Sequence, residues 1–226
     1  MRKKIIDYDY AFKINFNANI YCDIALENYF LTKSTYEEIM KAKNTCGEYL
    51  DRLDYYQGKQ ITCTVFSQMC IEALLNDFAS DYLTRKEIED FFDKLDIQKK
   101  IKFIAKFILH KKIRTDGVLF NNIKIMTKNR NESIHNKSKI ITNDEYIAME
   151  EKLGEQELNN NDFREFFILA KQSISAIIET AKFLSNPSND ALIVEMLFIG
   201  QYDNNAQREL RNKAVKEFNI KLDPSI

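Results

Sequence analysis

Apolar residues recur along this chain at spacings of three and four, the period of helices that bury one face, and not in the alternation of strands. The pattern predicts a helix from about Asn19 to Leu31. Ser34 or Thr35, followed by Glu37 and Glu38, reads as an N-cap with an acidic first turn, opening a second helix to about Tyr56. Gln57-Gly58 reads as its stop, glycine taking the left-handed C-terminal conformation. From Gln60 to Leu83 the chain is apolar around most of its circumference, leaving a polar arc through Ser67, Gln68, Glu72 and Asn76, as expected of a central helix. Thr84 and Glu87 match a capping box for a short helix from Arg85 to about Asp93. The next helix, Ile97 to His110, turns Ile101, Ile104, Ala105 and Ile108 inward and its lysines outward.

After a turn at Asp116-Gly117, a helix from Val118 to about His135 has Leu119, Ile123, Met126 and Ile134 as its buried stripe. Further helices are expected over Asp144–Leu153 and Asp162–Leu184, the latter ended by Asn186-Pro187-Ser188-Asn189 because proline cannot continue the hydrogen-bond ladder. Two short ones, Asp190–Phe198 and Asn204–Phe218, follow. Residues 1–17 alternate aromatic and charged groups and read as an N-terminal arm that packs or binds a partner. Residues 18–226 are expected to form a single all-α domain.

Composition narrows the class. With 5 glycines and 2 prolines in 226 residues, neither a turn-rich β-sandwich nor a glycine-cradled nucleotide site is expected. Cys22, Cys46, Cys63 and Cys70 have no C-x-x-C spacing and sit in or beside apolar helical patterns, so they read as core thiols. No apolar run approaches the ~20 residues of a membrane span, and Met1-Arg2-Lys3-Lys4 leads into Asp7-Tyr8-Asp9, not an apolar signal core. A cytoplasmic protein that does not enter membranes is the expectation.

The formal net charge of −1 hides an asymmetry. Between Gln98 and Lys139 stand twelve basic residues and only two acids, Asp116 and Glu132, a local +10 that leaves −11 on the rest of the chain. A focused positive surface attracts polyanions. The alternative is that it docks on the acidic remainder of the chain or on an acidic partner.

Inside this segment lies Arg130-Asn131-Glu132-Ser133-Ile134-His135, which holds one of the chain's two histidines. Histidine exchanges protons near neutral pH, and the arginine fork is a permanent cation matched to phosphate. Together they suffice for RNA cleavage without a metal. The 2′-hydroxyl is deprotonated and attacks phosphorus, while the cation stabilises the charge gathering on the phosphate oxygens, leaving a 2′,3′-cyclic phosphate. On a regular helix, five positions at ~100° each put the two side chains about 140° apart. Either the helix ends or bends between them, or each works with its counterpart from a second chain. Asn131 is placed to hold a side chain or a phosphate by hydrogen bonding.

An arginine, a polar neighbour and a histidine near the end of a helix resemble the signature of the HEPN superfamily (higher eukaryotes and prokaryotes nucleotide-binding domain), an arginine and a histidine separated by four to six residues. The supporting pattern covers about residues 60–140. The resemblance implies a helical bundle of HEPN type with additional N- and C-terminal helices, dimerising so that two motifs face each other. It implies a metal-independent endoribonuclease of a toxin–antitoxin or phage-defence system that needs no cofactor. Carried over, Arg130 orients or stabilises the scissile phosphate, His135 transfers protons and Asn131 supports them. Some members keep the fold without activity, so the alternative is a non-catalytic module binding RNA, a nucleotide or an acidic protein, an antitoxin or another regulatory partner among them.

Lys124, Lys128, Lys137 and Lys139 border the motif as expected RNA contacts. His110, beside Lys111 and Lys112, is a weaker candidate whose alternative reading is a solvated helix cap. Glu72 is a candidate supporting carboxylate for Arg130, or a satisfied structural acid. Tyr55 and Tyr56 are candidates for base stacking, or for packing. No carboxylate cluster or His-x-x-x-His spacing suggests a metal.

Overall fold

Two long helices form the spine of the protein. In the computed structural model, which describes residues 16–41, 46–134, 161–185, 193–198 and 205–222, α1 spans Phe16–Lys41 and α2 spans Cys46–Ser80. Three helices were expected over this stretch, and there are two. Ser34 turns its hydroxyl back to the Leu31 carbonyl at 3.1 Å, inside α1, instead of capping a new helix. Gly58 lies within α2, exposed, without a positive φ. Tertiary packing of α1 along α2 overrides the weak local stop. A Cβ built on Gly58 meets nothing within 4 Å. Gly58→Ala should therefore raise stability by about 0.5–1 kcal/mol in urea unfolding, and a loss would show that this turn of α2 is under strain.

The Thr84–Glu87 capping box forms as expected. Glu87 N–H donates to the Thr84 hydroxyl at 3.3 Å, and Thr84 N–H donates to the Glu87 carboxylate at 2.8 Å, opening α3 (Arg85–Asp90). A 3₁₀ turn, Phe92–Lys94, leads to α4 (Ile97–Phe103), capped by the Asp96 side chain and continued by a π-helical turn over Ile104–Ile108. Ile101, Ile104, Ala105 and Ile108 all face inward.

Next come α5 (Val118–Ile134), α6 (Asn161–Leu184), α7 (Ile193–Phe198) and α8 (Asn205–Glu217). The described residues are all-α and contain no strand. Residues 1–15 and the helix expected over 144–153 lie outside the described residues, and Phe16 and Asn17, assigned to the arm, begin α1.

Every one of these helices contributes to one main core cluster, and Ile39, Tyr56 and Phe163 form a second, smaller one. α2 is its centre, packed between α1 and α6, with α5 against α6 and α2 and α8 against α1. Many of the buried positions are small, among them Ala25, Cys63, Ala170 and Ala181, which lets helix axes approach closely. Cys22, Cys63 and Cys70 are free, buried thiols, as expected, and burial pushes the Cys63 thiol up to about 12. Such a thiol stays protonated and is neither nucleophile nor metal ligand at neutral pH. The side chain of Cys46 lies outside the described residues.

α8 is fastened to α1 by two polar clusters. Arg211 forks onto Asp23 through Nε–Oδ1 at 2.8 Å and Nη2–Oδ2 at 3.0 Å. One helical turn or more away, Glu217 accepts from the Tyr29 hydroxyl at 3.0 Å and pairs with Lys33. The Lys33 hydrogen bond holds the Glu217 carboxyl below its ordinary pKa, despite the opposing effect of burial. A depressed carboxyl contributes stability that is complete above the ordinary glutamate range and fades as pH falls through the lower folded-state value. The stability gap between wild type and Glu217→Gln, read by urea unfolding across pH, should therefore close on acidification; a gap independent of pH would rule out the linkage.

Candidate nucleic-acid interface

The motif-bearing helix presents two faces. Phe120, Ile123 and Met126 point into the core, whereas Asn121, Lys124, Lys128 and Asn131 are exposed. Ile134, expected in the buried stripe, is 45% exposed, and Phe120, not Leu119, is the fully buried residue of the first turn.

The far end of α5 is held by a buried polar junction. Asn129 Nδ2 donates to Thr64 Oγ1 on α2 at 3.4 Å, Gln60 Nε2 donates to the same oxygen at 2.9 Å, and Ser173 Oγ on α6 lies 3.1 Å from it. Ser173 also donates to the Leu169 carbonyl at 2.9 Å. With its proton spent there, Ser173 accepts from Thr64, so the Thr64 hydroxyl donates once and accepts twice, its full capacity. Three helices thus fix the residue next to Arg130.

Arg130 itself is half-buried, and its Nη1 donates to Asn131 Oδ1 at 3.1 Å, so the two neighbours do interact as the sequence suggested they could. The chain is α-helical from Arg130 through Ile134. His135, Lys137 and Lys139 lie outside the described residues. Lys128 approaches Glu132 at 3.7 Å, both well exposed. A pair of that kind contributes little, so Lys128 remains open to a phosphate.

Glu72, half-buried on α2, accepts from Gln68 Nε2 at 3.2 Å, and its charge acts on Lys100. It stands eight residues, about 12 Å along the helix, from Thr64. Lys100 is the one cation of α4 drawn inside. It donates to Asn76 Oδ1 at 2.8 Å, lies over the Phe92 ring, and burial lowers its pKa.

His110 is exposed and adopts φ 51°. It closes the π turn, where Leu109 N–H donates to the Ile104 carbonyl and Lys111 N–H to that of Ala105. Among non-glycine residues histidine is enriched in this left-handed region. Tyr56 is buried and donates to the Phe163 carbonyl at 2.9 Å, whereas Tyr55 is 50% exposed beside Lys59.

The chain matches no family model, no curated protein and no solved structure. Among the described residues no three His, Cys, Asp or Glu side chains converge as a metal would require, and no helix is long and apolar enough to cross a membrane.

The aromatic row on this surface is barely marked in the sequence. Phe91 and Phe107 are about half exposed, at 50% and 48%, on either side of Phe103. Phe91 and Phe103 also wall a cleft of ≈ 440 Å³ between α3 and α4, with Leu83 and Glu87. The visible trace was a repeat, Lys102-Phe103-Ile104 followed by Lys106-Phe107-Ile108, whose phenylalanines pass for ordinary helix packing.

Proposed function

We propose that this chain is a metal-independent endoribonuclease of HEPN type, acting as a homodimer in a toxin or phage-defence setting under a regulatory partner such as an antitoxin. The observation that carries this reading is Arg130: a half-buried guanidinium bonded to Asn131, on a helix that Asn129 ties to Thr64 and that exposes Lys124 and Lys128, five positions before His135 in the sequence. The guanidinium binds the scissile phosphate and offsets the charge of the pentacoordinate transition state. His135 exchanges the proton of the attacking 2′-hydroxyl or of the departing 5′-oxygen. One arginine and one histidine per chain make a half-site, and a second copy supplies the other half.

The test is RNA incubated with the wild-type protein in EDTA, with the product ends identified. Cleavage leaving 2′,3′-cyclic phosphates is the expected result. Salt-sensitive RNA binding with intact RNA would instead mark a non-catalytic RNA-binding module, and sedimentation of the free protein as a monomer would remove the paired half-sites.

A further inference from the structure

Three rings at the corner of α3 and α4 form a continuous row, the outer two about half exposed and the middle one half-buried. Phe103 lies 5.5 Å from Phe91 and 5.0 Å from Phe107 between centroids. The repeated Lys-Phe-Ile triplet explains how the row arises. Ile104 and Ile108 are buried, Phe107 is about half exposed, Phe103 is half-buried with one side packed on the core, and Lys102 and Lys106 are exposed. Lys106 Nζ sits 5.1 Å over the Phe107 ring, and Lys102 Nζ sits 5.6 Å over Phe120 at the start of α5.

Charge is distributed unevenly along this row. From Ile97 to Thr115 the chain contains no acid, and Lys111 and Lys112 extend the exposed cationic edge beyond Phe107. At the Phe91 end, by contrast, the four acids Glu87, Glu89, Asp90 and Asp93 offset the three cations Arg85, Lys86 and Lys94. The Phe103–Phe107 end is thus where an anion is attracted to apolar rings. Ring and cation alternate there, and a single nucleic-acid strand alternates base and phosphate in the same way. Bases stack on such rings whatever their identity, and phosphates take the lysines.

We propose that Phe103 and Phe107, with Lys102 and Lys106, form a stacking platform for single-stranded RNA that feeds the Arg130 half-site. The path between them lies on α5: Lys102 overlies Phe120, and ten residues further, about 15 Å along the axis, past exposed Lys124 and Lys128, stands Arg130. The choice of RNA as the strand rests on the ribonuclease reading, but the stacking itself does not.

The chain contains no tryptophan, so Phe107→Trp places its only indole on the platform. Oligouridylate titrated into this protein, in an Arg130→Ala background that leaves the probe uncut, should quench the indole saturably. Ile168→Trp, at an exposed site on α6, should not respond. Phe107→Ala should weaken oligouridylate binding about 5- to 150-fold, and Lys106→Ala should lower the salt slope of log affinity by about 0.7. An indole that oligouridylate leaves unquenched overturns the platform. So does one whose emission is already blue-shifted in proportion to protein concentration, which would place a second copy on the rings, and so does one that answers only to an acidic apolar peptide. Quenching without cleavage by the wild type would unseat the ribonuclease reading and leave the platform standing; cleavage with an unquenched indole would do the reverse.

Discussion

Arg211→Ala is expected to destabilise the protein by about 3–5 kcal/mol, the loss typical when one partner of a buried ion pair is removed. The side chains of Arg211 and Asp23 are only 2% and 12% exposed, and the two-pronged contact leaves Asp23 with Gln207, at 3.1 Å, once the guanidinium is gone. A neutral amide does not replace a guanidinium, so a carboxylate is stranded in a medium that solvates it poorly. The pair joins residues 188 apart, and with it goes much of the seating of α8 on α1. Urea unfolding followed by far-ultraviolet circular dichroism reads the change, with an unaltered m-value showing that the whole domain still unfolds together. The double variant Asp23→Leu/Arg211→Met should recover most of the loss, because removing both charges also removes the desolvation that the pair offsets. A single-variant loss under about 1 kcal/mol, the scale of an exposed pair, would falsify the buried-pair account.

In the RNA assay, Arg130→Ala is expected to slow cleavage about 10²–10³-fold, the range seen when a preorganised transition-state donor is removed. Its side chain is half-buried and bonded to Asn131, not to the core, so the fold should be nearly indifferent, within about 0.5 kcal/mol. The separation of activity from stability is what makes the variant informative. Arg130→Lys keeps the charge but not the planar fork, and should restore little of the rate. His135→Ala should lower the rate about 10²–10⁴-fold through lost proton transfer. Equal cleavage by wild type and Arg130→Ala would remove the motif from the reaction, and full rescue by lysine would reduce the arginine to a point charge.

How far the sequence could be read depended on the range of the interactions involved. The capping box at Thr84 and Glu87 was legible because both partners lie within one turn, and so was the inward face of α4, set by helical period. Ser34 and Gly58 misled for the same reason. They carry local preferences of about a kilocalorie per mole, which α1 and α2, packed along each other, outweigh. The π turn at Ile104–Ile108 has no sequence mark of its own. Of the candidate site, Arg130 beside Asn131 could be read directly, because neighbours in sequence are neighbours in space. The support from Thr64 and Ser173 could not, since each lies on another helix.

The sequence by itself determined the helical class, the burial of Cys22, Cys63 and Cys70, the basic segment and the position of Arg130 within it, because each follows from composition, period or adjacency. Only the tertiary structure decided that two long helices replace three, that Arg211 closes on Asp23, that Thr64 ties down the end of α5, and that Phe107 emerges beside Lys106 with Phe103 half-buried next to it. Each of these depends on residues far apart in the chain, or on which side of a helix the core leaves uncovered. Local preference is too weak to specify either, and packing settles both.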